Sequence, residues 1–171
     1  KFIKKVSRST GIKLKIISGS EEAKLIALGV LPHVQAKNDN ELLALIDIGG
    51  GSTEISLCRN QTPIHSVSFP LGTARIQQIM LKTHPPKSDD ILESAKTEIS
   101  TTLAKTIHSK NWPQAYSAVG TSGTVRAVQK LLLKNFGKGN ITRKSLKALI
   151  KLLRELKLEK IKNLPGMEPK R

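Results

Sequence analysis

The N-terminal part of the chain changes from strand-like to helix-like spacing of its hydrophobic positions. Residues 13–18 alternate and are rich in isoleucine, a pattern that predicts a β-strand. Residues 21–30 place their apolar side chains three and four positions apart, which predicts a helix with one buried face. Two acids, Glu21 and Glu22, occupy its first turn, where the helix dipole favours negative charge.

Three further strand-like segments occupy the middle of the chain. Residues 42–48 form a nearly continuous apolar run that includes Asp47 and ends in Ile48, as in a strand buried on both faces. Residues 53–58 alternate between apolar and polar positions, and residues 64–69 predict a third strand. Short turns separate these runs, so we expect an antiparallel meander.

The second half of the chain is mainly helical in its pattern. A helix is expected after Gly72, and a longer one from Ser88, with an apolar stripe that steps by four residues. That stripe consists of Ile91, Ala95, Ile99, Leu103 and Ile107. Residues 115–119 predict a short strand followed by a helix to about Leu133, and Thr142 caps the last long helix. This order of elements predicts a layered α/β fold.

The composition is that of a globular protein with a strong positive charge. Of 171 residues, 38% are hydrophobic and 25% charged, and the formal net charge is +16. A field of this sign attracts polyanions, although a lysine-rich solvated surface gives the same count. The single cysteine, Cys58, excludes an internal disulfide and favours an intracellular, cytoplasmic protein. The apolar stretches are shorter than the roughly 20 residues that cross a membrane, so no membrane partner is expected.

The strongest chemical signal is the sequence Asp-Ile-Gly-Gly-Gly-Ser-Thr-Glu at residues 47–54. A buried strand leads into three glycines, and the absence of Cβ atoms lets backbone N–H groups approach an anion closely. Ser52 and Thr53 add hydroxyl donors, and Asp47 and Glu54 supply oxygen ligands for a hard cation. A plain glycine-rich hairpin needs fewer glycines and no flanking acids. The pattern therefore predicts a site for a metal-bound phosphate.

Two further segments carry weaker signals of the same kind. Residues 120–124, Gly-Thr-Ser-Gly-Thr, follow a predicted strand and open a helix, whose N-terminus binds anions through free N–H groups and the dipole. An N-capping loop has the same pattern, but twin strand-end loops are typical of actin-like nucleotide or phosphate folds. Residues 18–23 place Glu21 and Glu22 at a helix start, where the two acids can also serve only as complements to the dipole.

Five motifs follow one another in a recognisable order. They are Ile-Ser-Gly, an acid pair and Ala in a helix that ends in Gly-Val (17–30), the triple-glycine loop (47–54), Leu71-Gly72 before Arg75, the loop at 120–124, and Leu164-Pro165-Gly166. Over nearly the whole chain this order resembles the Ppx/GppA phosphatase family, a branch of the actin, sugar kinase and Hsp70 superfamily. The resemblance implies a ribonuclease H-like (actin-like ATPase) layered α/β fold. Residues 1–171 would be a single domain, the C-terminal lobe of a two-lobed enzyme core.

The resemblance also implies a role for each matched residue. Glu22 corresponds to the catalytic base that activates water, with Glu21 as the less favoured alternative. Asp47 and Glu54 correspond to acids that position Mg²⁺ or the water, so Mg²⁺ is the implied cofactor. Arg75 would contact phosphate or form a structural salt bridge. The phosphate-binding residues would be Gly49, Gly50, Gly51, Ser52 and Thr53 in the first loop, and Gly120, Thr121, Ser122, Gly123 and Thr124 in the second.

One departure from the family affects the expected activity. Relatives begin with another phosphate loop, Asp-Gly-Ser-Asn-Ser, on a preceding lobe, and this sequence contains no such segment. Because the family's active site lies between two lobes, we expect the chain to hold one wall of the site and to have weak or no turnover alone. The implied reaction is hydrolysis of the terminal phosphate of inorganic polyphosphate or guanosine pentaphosphate. The implied assembly is a homodimer of the full-length protein.

Two other functions remain compatible with the sequence. A nucleotide-binding ATPase or kinase-like lobe also uses twin phosphate loops, although the acid pair at residues 21–22 favours hydrolysis over transfer. A non-catalytic polyanion-binding module would account for the net charge, and basic helix faces would provide a track for a long anionic chain. No signature of stacked aromatic residues is present, which argues against specific nucleic-acid recognition.

Overall fold

The computed structural model of the chain describes residues 2–34, 41–83, 86–109 and 112–168. In these ranges the helices are α1 (Phe2–Thr10), α2 (Gly19–Val30), α3 (Thr73–Ile76), α4 (Asp89–Ser109), α5 (Ser122–Phe136), α6 (Arg143–Glu155) and α7 (Leu158–Lys162). The strands are β1 (Leu43–Ile48), β2 (Thr53–Arg59), β3 (Thr62–Phe69) and β4 (Ser117–Thr121). A 3₁₀ turn (Leu31–His33) continues α2, and a π-helical segment (Gln77–Leu81) continues α3.

The strands form one mixed sheet in the order β3-β2-β1-β4. β1, β2 and β3 pair antiparallel, which confirms the predicted meander, and β4 lies parallel to β1. A parallel pair needs a long crossover, and here the crossover contains α4. Because β1 and β4 end at the same edge of the sheet, with Asp47 opposite Thr121, the two predicted phosphate loops lie side by side.

Helix α2 covers one face of the sheet at close range. The side chains that it turns towards the sheet are small, since Ala23 and Ala27 are the buried residues of the helix. Ser56 on β2 donates a hydrogen bond to the carbonyl of Ala23 at 3.1 Å. Further along α2, the first core cluster joins helix and sheet and is formed by Ala27, Leu31, Leu45 and Cys58. Strand alternation places Asp47 on the same face as Leu45, so the end of β1 presents its acid on the side that α2 covers.

A second core cluster joins the C-terminal helices. Leu131 and Leu132 of α5 are buried against Leu149 of α6. The predicted N-cap of α6 is confirmed, because the hydroxyl of Thr142 accepts from the N–H of Ser145 at 3.1 Å. Partly buried residues that pack against this cluster are Val128, Leu152, Leu153, Leu164 and Met167.

The predicted strand at residues 13–18 is wrong. The segment leading into α2 has no regular structure and pairs with none of the four described strands. A strand needs a hydrogen-bonded neighbour, and the alternating side chains of Ile12, Leu14 and Ile16 are exposed instead of packed. β4 also lies slightly later than expected, at Ser117–Thr121 and not at residues 115–119.

Helices α1 and α7 did not follow from the sequence pattern. They have 9 and 5 residues respectively, and neither has a buried residue that would mark a stripe facing the core. The longer α4 begins where the sequence predicted, immediately after Ser88. Across the described ranges, no helix combines the length and the apolar character that crossing a bilayer requires.

Candidate functional site

The turn at residues 49–52 between β1 and β2, called the glycine bend below, is held by hydrogen bonds from the start of α3. The N–H of Gly49 donates to the carbonyl of Ser52 at 2.9 Å, which closes the bend. The carbonyl of Gly49 accepts from the N–H of Thr73 at 2.9 Å, and the carbonyl of Gly50 accepts from the N–H of Arg75 at 3.1 Å. The otherwise unsatisfied N–H groups of a short helix thereby fix the direction of two peptide units.

Close packing between α3 and the bend depends on Gly72. A Cβ at Gly72 would collide with the backbone of Gly50 and Gly51, so only glycine allows this approach. On the strand side, the hydroxyl of Thr53 donates to the carbonyl of Leu71 at 2.8 Å in a buried position. The segment before α3 is therefore fastened to both ends of the bend.

The N–H groups of Gly50 and Gly51 face the open side of the bend. In a trans peptide the N–H points opposite to the preceding C=O. Because the carbonyls of Gly49 and Gly50 are bonded towards α3, the following N–H groups point away from α3. Neither N–H has an acceptor in the described part of the chain, and both glycines are exposed. Adjacent free N–H groups of this kind form an anion-binding concavity.

Gly51 is required neither by backbone conformation nor by packing. It is absent from the glycines with positive φ, and a Cβ placed on it would meet no atom within 4 Å. The missing side chain therefore only leaves space on the open side, beside the free N–H groups. This is what a closely approaching ligand needs.

Four polar side chains form a row across the sheet beside the bend. Glu54 lies opposite Asp47 on β1 and Ser68 on β3, and Asp47 lies opposite Thr121 on β4. Opposed residues project from the same face, with Cβ atoms about 4.5–5.5 Å apart in an antiparallel pair. Ser68 donates to Oε1 of Glu54 at 2.6 Å, and Thr121 donates to Oδ2 of Asp47. Each acid thus has one oxygen bound by a hydroxyl of a neighbouring strand.

The hydroxyl groups of the second loop hold the end of β1. Thr121 is the N-cap of α5, but its hydroxyl donates to Asp47 and makes no capping bond to the helix. Ser122 donates to the carbonyl of Ile48 at 2.9 Å. Its φ of 76° lies in the left-handed region that non-glycine residues rarely adopt. A strained residue at the contact between the two loops indicates that the surrounding structure fixes this contact.

The remaining residues of the second loop contribute backbone or packing. A Cβ at Gly120 would lie 2.6 Å from Cγ1 of Val125, so this glycine allows α5 to pack on its own strand. Gly123 and Thr124 lie in the first turn of α5, where N–H groups have no partner within the helix. Because the N-cap side chain is turned to Asp47, these N–H groups remain available to an anion.

The acid pair lies in the first turn of α2, next to the row. A Cβ at Gly19 would lie 2.5 Å from Cβ of Ser68, which places the start of α2 directly against β3. At 100° per residue, Glu22 is about 60° from Gly19 around the helix, and Glu21 about 160°. Glu21 turns instead towards Lys15, with Oε1 3.8 Å from Nζ. The structure therefore places Glu22 nearer than Glu21 to the side of α2 that meets the row.

The side chains of Arg75 and Cys58 differ in their relation to the site. Arg75 is exposed and makes none of the ion pairs found among the described residues, so its guanidinium is open to an incoming anion. Cys58 lies 1% exposed in the first core cluster. Burial raises the pKa of its thiol to about 11, so it stays protonated at neutral pH and is no nucleophile.

Asp47 and Glu54 fit a Mg²⁺ ion that shares its coordination with a substrate. In the described ranges no cluster of three or more His, Cys, Asp or Glu side chains could enclose a metal. Mg²⁺ commonly binds one or two carboxylates and completes its shell with water and substrate phosphates. The second oxygen of each acid, Oδ1 of Asp47 and Oε2 of Glu54, has no bond to another described residue. The donor set therefore suits this open mode of binding.

The site is a surface, not an enclosed pocket. A depression of about 400 Å³ lies between α2 and β3, and its lining includes Glu21, Lys24 and His65. A larger one, about 480 Å³, lies on α1 beside Lys4, Lys5 and Arg8, and no residue of the glycine bend lines it. Neither depression combines N–H donors for an anion with oxygen ligands for a cation, whereas the bend and the carboxylate row lie next to each other and supply both.

Paired strand-end loops with free N–H groups, at one edge of a mixed α/β sheet, are typical of proteins that bind phosphate groups. Residues 1–171 match the profile of the Ppx/GppA phosphatase family, and the chain belongs to this family. The resemblance inferred from the order of the motifs is confirmed.

Individual relatives agree with this assignment. The chain is 33% identical over 123 residues to guanosine-5'-triphosphate,3'-diphosphate pyrophosphatase from Pseudoalteromonas atlantica, covering 70% of this chain and 23% of that protein. The Aquifex aeolicus Ppx/GppA phosphatase (type II variant) has a similar fold, with a TM-score of 0.76 at 19% identity over 99% of this chain and 56% of its own. An exopolyphosphatase from Cytophaga hutchinsonii has a TM-score of 0.72 at 22% identity, covering 97% of this chain and 55% of that protein. These likenesses confirm the expected α/β fold, and the chain spans about half the length of the solved relatives.

Proposed function

We propose that the chain forms the phosphate- and Mg²⁺-binding wall of an exopolyphosphatase-type hydrolase. The substrate would be the terminal phosphate of inorganic polyphosphate or guanosine pentaphosphate. One observation carries the proposal: the N–H groups of Gly50 and Gly51 face open space beside the carboxylates of Asp47 and Glu54. The family and the names of the Pseudoalteromonas and Cytophaga relatives support this substrate class.

Different residues of the chain would carry different steps of the proposed hydrolysis. Phosphoryl transfer depends on in-line positioning and charge neutralisation more than on covalent chemistry. The N–H groups of Gly50 and Gly51, with the first turn of α5, would bind the phosphoryl oxygens as their negative charge redistributes. Asp47 and Glu54 would hold Mg²⁺, which neutralises phosphate charge when bound. Glu22 would accept a proton from the attacking water.

The openness of this wall predicts low activity for the chain alone. Gly50, Gly51 and Glu22 are all exposed, so water reaches the N–H groups of the bend and the proposed base. Electrostatic stabilisation is weaker in water than in a closed site. We therefore expect the chain to bind phosphate chains weakly and to hydrolyse them slowly or not at all.

The test is an assay of phosphate release from long-chain polyphosphate and from guanosine pentaphosphate, each with Mg²⁺. The chain alone is compared with a full-length protein that contains it, and we expect release only, or mainly, from the latter. Full activity of the chain alone would refute the proposal of a single wall. A full-length protein that releases phosphate from neither substrate but binds ATP saturably would support the ATPase or kinase-like alternative. Binding of polyanions without any hydrolysis would support a binding module.

A further inference from the structure

Glu54 is a largely buried residue at the start of β2. Glu54 is 4% exposed, and a buried carboxylate is costly unless hydrogen-bond donors compensate for the lost water. In the described part of the chain, the side-chain donor that reaches it is the hydroxyl of Ser68, 2.6 Å from Oε1. This O···O distance is short for a hydroxyl donor, which makes the contact specific in its geometry.

Ser68 is itself enclosed by the N-terminus of α2. A Cβ on Gly19 would lie 2.5 Å from Cβ and 2.8 Å from Oγ of Ser68, so glycine at this position leaves room for the serine side chain. The φ of Gly19 is not in the left-handed region, so packing against Ser68 explains this glycine where backbone conformation does not. The side chain of Ser68 therefore lies between the start of α2 and Glu54.

The neighbouring serine on the same strand face provides a natural comparison. Ser66 lies two residues before Ser68, and its Oγ is 2.9 Å from Oγ of Ser56. Ser56 in turn donates to the carbonyl of Ala23 on α2. Both serines thus link β3 towards α2 and β2, but Ser68 is the one that contacts a carboxylate.

We propose that Ser68 is a positioning residue: its hydroxyl holds one oxygen of Glu54, and its packing under Gly19 couples the orientation of that acid to the helix turn that carries Glu22. The inference rests on the proposed function, in which Glu54 and Glu22 act on the same phosphate. It adds a hydroxyl and a glycine to the site, and assigns them to alignment and not to contact with the substrate.

The first comparison is Ser68→Ala against Ser66→Ala. Each variant removes one hydroxyl from the same face of β3, but only Ser68→Ala frees Glu54. Loss of a group that orients a metal ligand commonly weakens metal binding about 10–100-fold. We expect a loss of this size for Mg²⁺ binding in the presence of tripolyphosphate in Ser68→Ala, and little change in Ser66→Ala. Equal losses in the two variants would overturn the proposal.

A second measurement needs no ligand. The ¹³C signal of the Glu54 carboxyl carbon, recorded on the 171-residue chain without Mg²⁺, should shift in Ser68→Ala and stay in place in Ser66→Ala. An unmoved signal in Ser68→Ala would also overturn the proposal. A wild-type chain that binds neither Mg²⁺ nor tripolyphosphate would contradict the proposed function, whereas the carboxyl signal would still decide whether Ser68 holds Glu54. If Ser68→Ala does not fold, Ser68→Cys replaces it, because a thiol fills the space with only a modest increase in size but donates weakly.

The coupling to α2 is tested with Gly19→Ala. In the wild-type background the new Cβ should displace Ser68, shift the Glu54 signal and lower Mg²⁺ affinity. In a Ser68→Gly background the Cβ has room, so Gly19→Ala should add little further loss. Additive losses in the two backgrounds would show that Gly19 acts independently of Ser68, and would overturn the coupling.

Discussion

The two phosphate loops lie side by side at one edge of the sheet, yet they are built in opposite ways. In the first loop, carbonyl groups are bonded from behind by Thr73 and Arg75, and the N–H groups of Gly50 and Gly51 are left open. In the second loop, the side chains of Thr121 and Ser122 are directed at β1. The first loop therefore leaves backbone donors open, whereas the second uses the hydroxyls of Thr121 and Ser122 to fix the end of β1.

This difference separates residues that bind from residues that align. Both loops appear in the sequence as glycine, serine and threonine at a strand end, so composition alone gives them the same role. Their hydrogen bonds direct the hydroxyls of Thr121 and Ser122 to Asp47 and Ile48, and the first N–H groups of α5 receive no bond from the N-cap side chain. The carboxylates of the first loop, Asp47 and Glu54, are the proposed Mg²⁺ ligands, so the proposed proton acceptor for the attacking water is Glu22 on α2.

The largest expected effect therefore comes from α2 and lies outside the comparison of the loops. In a full-length protein that contains this chain, Glu22→Gln should lower the rate of phosphate release about 10²–10⁴-fold, the usual contribution of a general base. Glu21→Gln is the matched control, because that side chain turns towards Lys15 and should cost less than about tenfold. A larger loss of rate from Glu21→Gln than from Glu22→Gln would show that Glu21, and not Glu22, is the base.

Within the first loop, binding and folding can be separated at two glycines. Gly51→Ala has no atom within 4 Å of the new Cβ, so stability should change by less than about 0.5 kcal/mol. The methyl group would nevertheless obstruct the N–H groups, and loss of charged hydrogen bonds should weaken tripolyphosphate binding roughly 10–100-fold. Calorimetric titration and thermal unfolding of the same sample measure both quantities.

Gly72→Ala should show the reverse order of effects. Its Cβ would collide with the backbone of the bend, and such overpacking typically costs about 1–3 kcal/mol in the free energy of unfolding. If Gly51→Ala lowered the free energy of unfolding as much as Gly72→Ala, Gly51 would be required for packing and not for ligand binding. The contrast with the second loop would then disappear.

In the second loop, Ser122 allows strain to be separated from hydrogen bonding. Ser122→Ala and Ser122→Gly both lose the bond to the Ile48 carbonyl, a net cost of about 0.5–1.5 kcal/mol. Glycine accepts a φ of 76° without the Cβ penalty, so Ser122→Gly should be the more stable of the two variants by roughly 0.5–1 kcal/mol. Urea unfolding measures the difference, and a more stable Ser122→Ala would show that the left-handed conformation is not retained.

Much of the sheet, and the place of both glycine loops at strand ends, followed from local patterns. Local sequence patterns locate the apolar run of β1, the glycine bend and the loop that follows β4. The crossover geometry then places the two loops together, because parallel strands end at the same edge. The segment at residues 13–18 shows where this reasoning stops: alternation predicts a strand, but only a neighbouring strand can make one.

The register of β2 and β3 explains why Ser68 could not be found from the sequence. Asn60 and Gln61 both have positive φ, as in a tight two-residue hairpin turn. Continuous pairing from that turn would place Val67 opposite Glu54. A register shift next to Cys58 and Pro63 places Ser68 there instead. Proline cannot donate to the ladder and is common at such irregularities, but the pattern does not reveal on which strand the extra residue lies.

The smallest expected effect concerns the positive charge, which neither loop explains. On α6, Lys151 and Arg154 already pair with Glu155 and Asp89, whereas Lys147 makes none of the ion pairs found among the described residues. If basic helix faces guide a long anionic chain, Lys147→Gln should weaken binding of long-chain polyphosphate roughly two- to fivefold at low salt. The effect should fade as salt shortens the screening length to about 8 Å near 0.15 M.

Lys96→Gln on α4, where Lys96 pairs with Glu93 at 3.1 Å, is the matched control. Because tripolyphosphate is too short to extend from the bend to a distant helix, its affinity should be the same in both variants. Binding of long polyphosphate that is insensitive to salt would contradict the track, and would leave the glycine bend as the source of affinity.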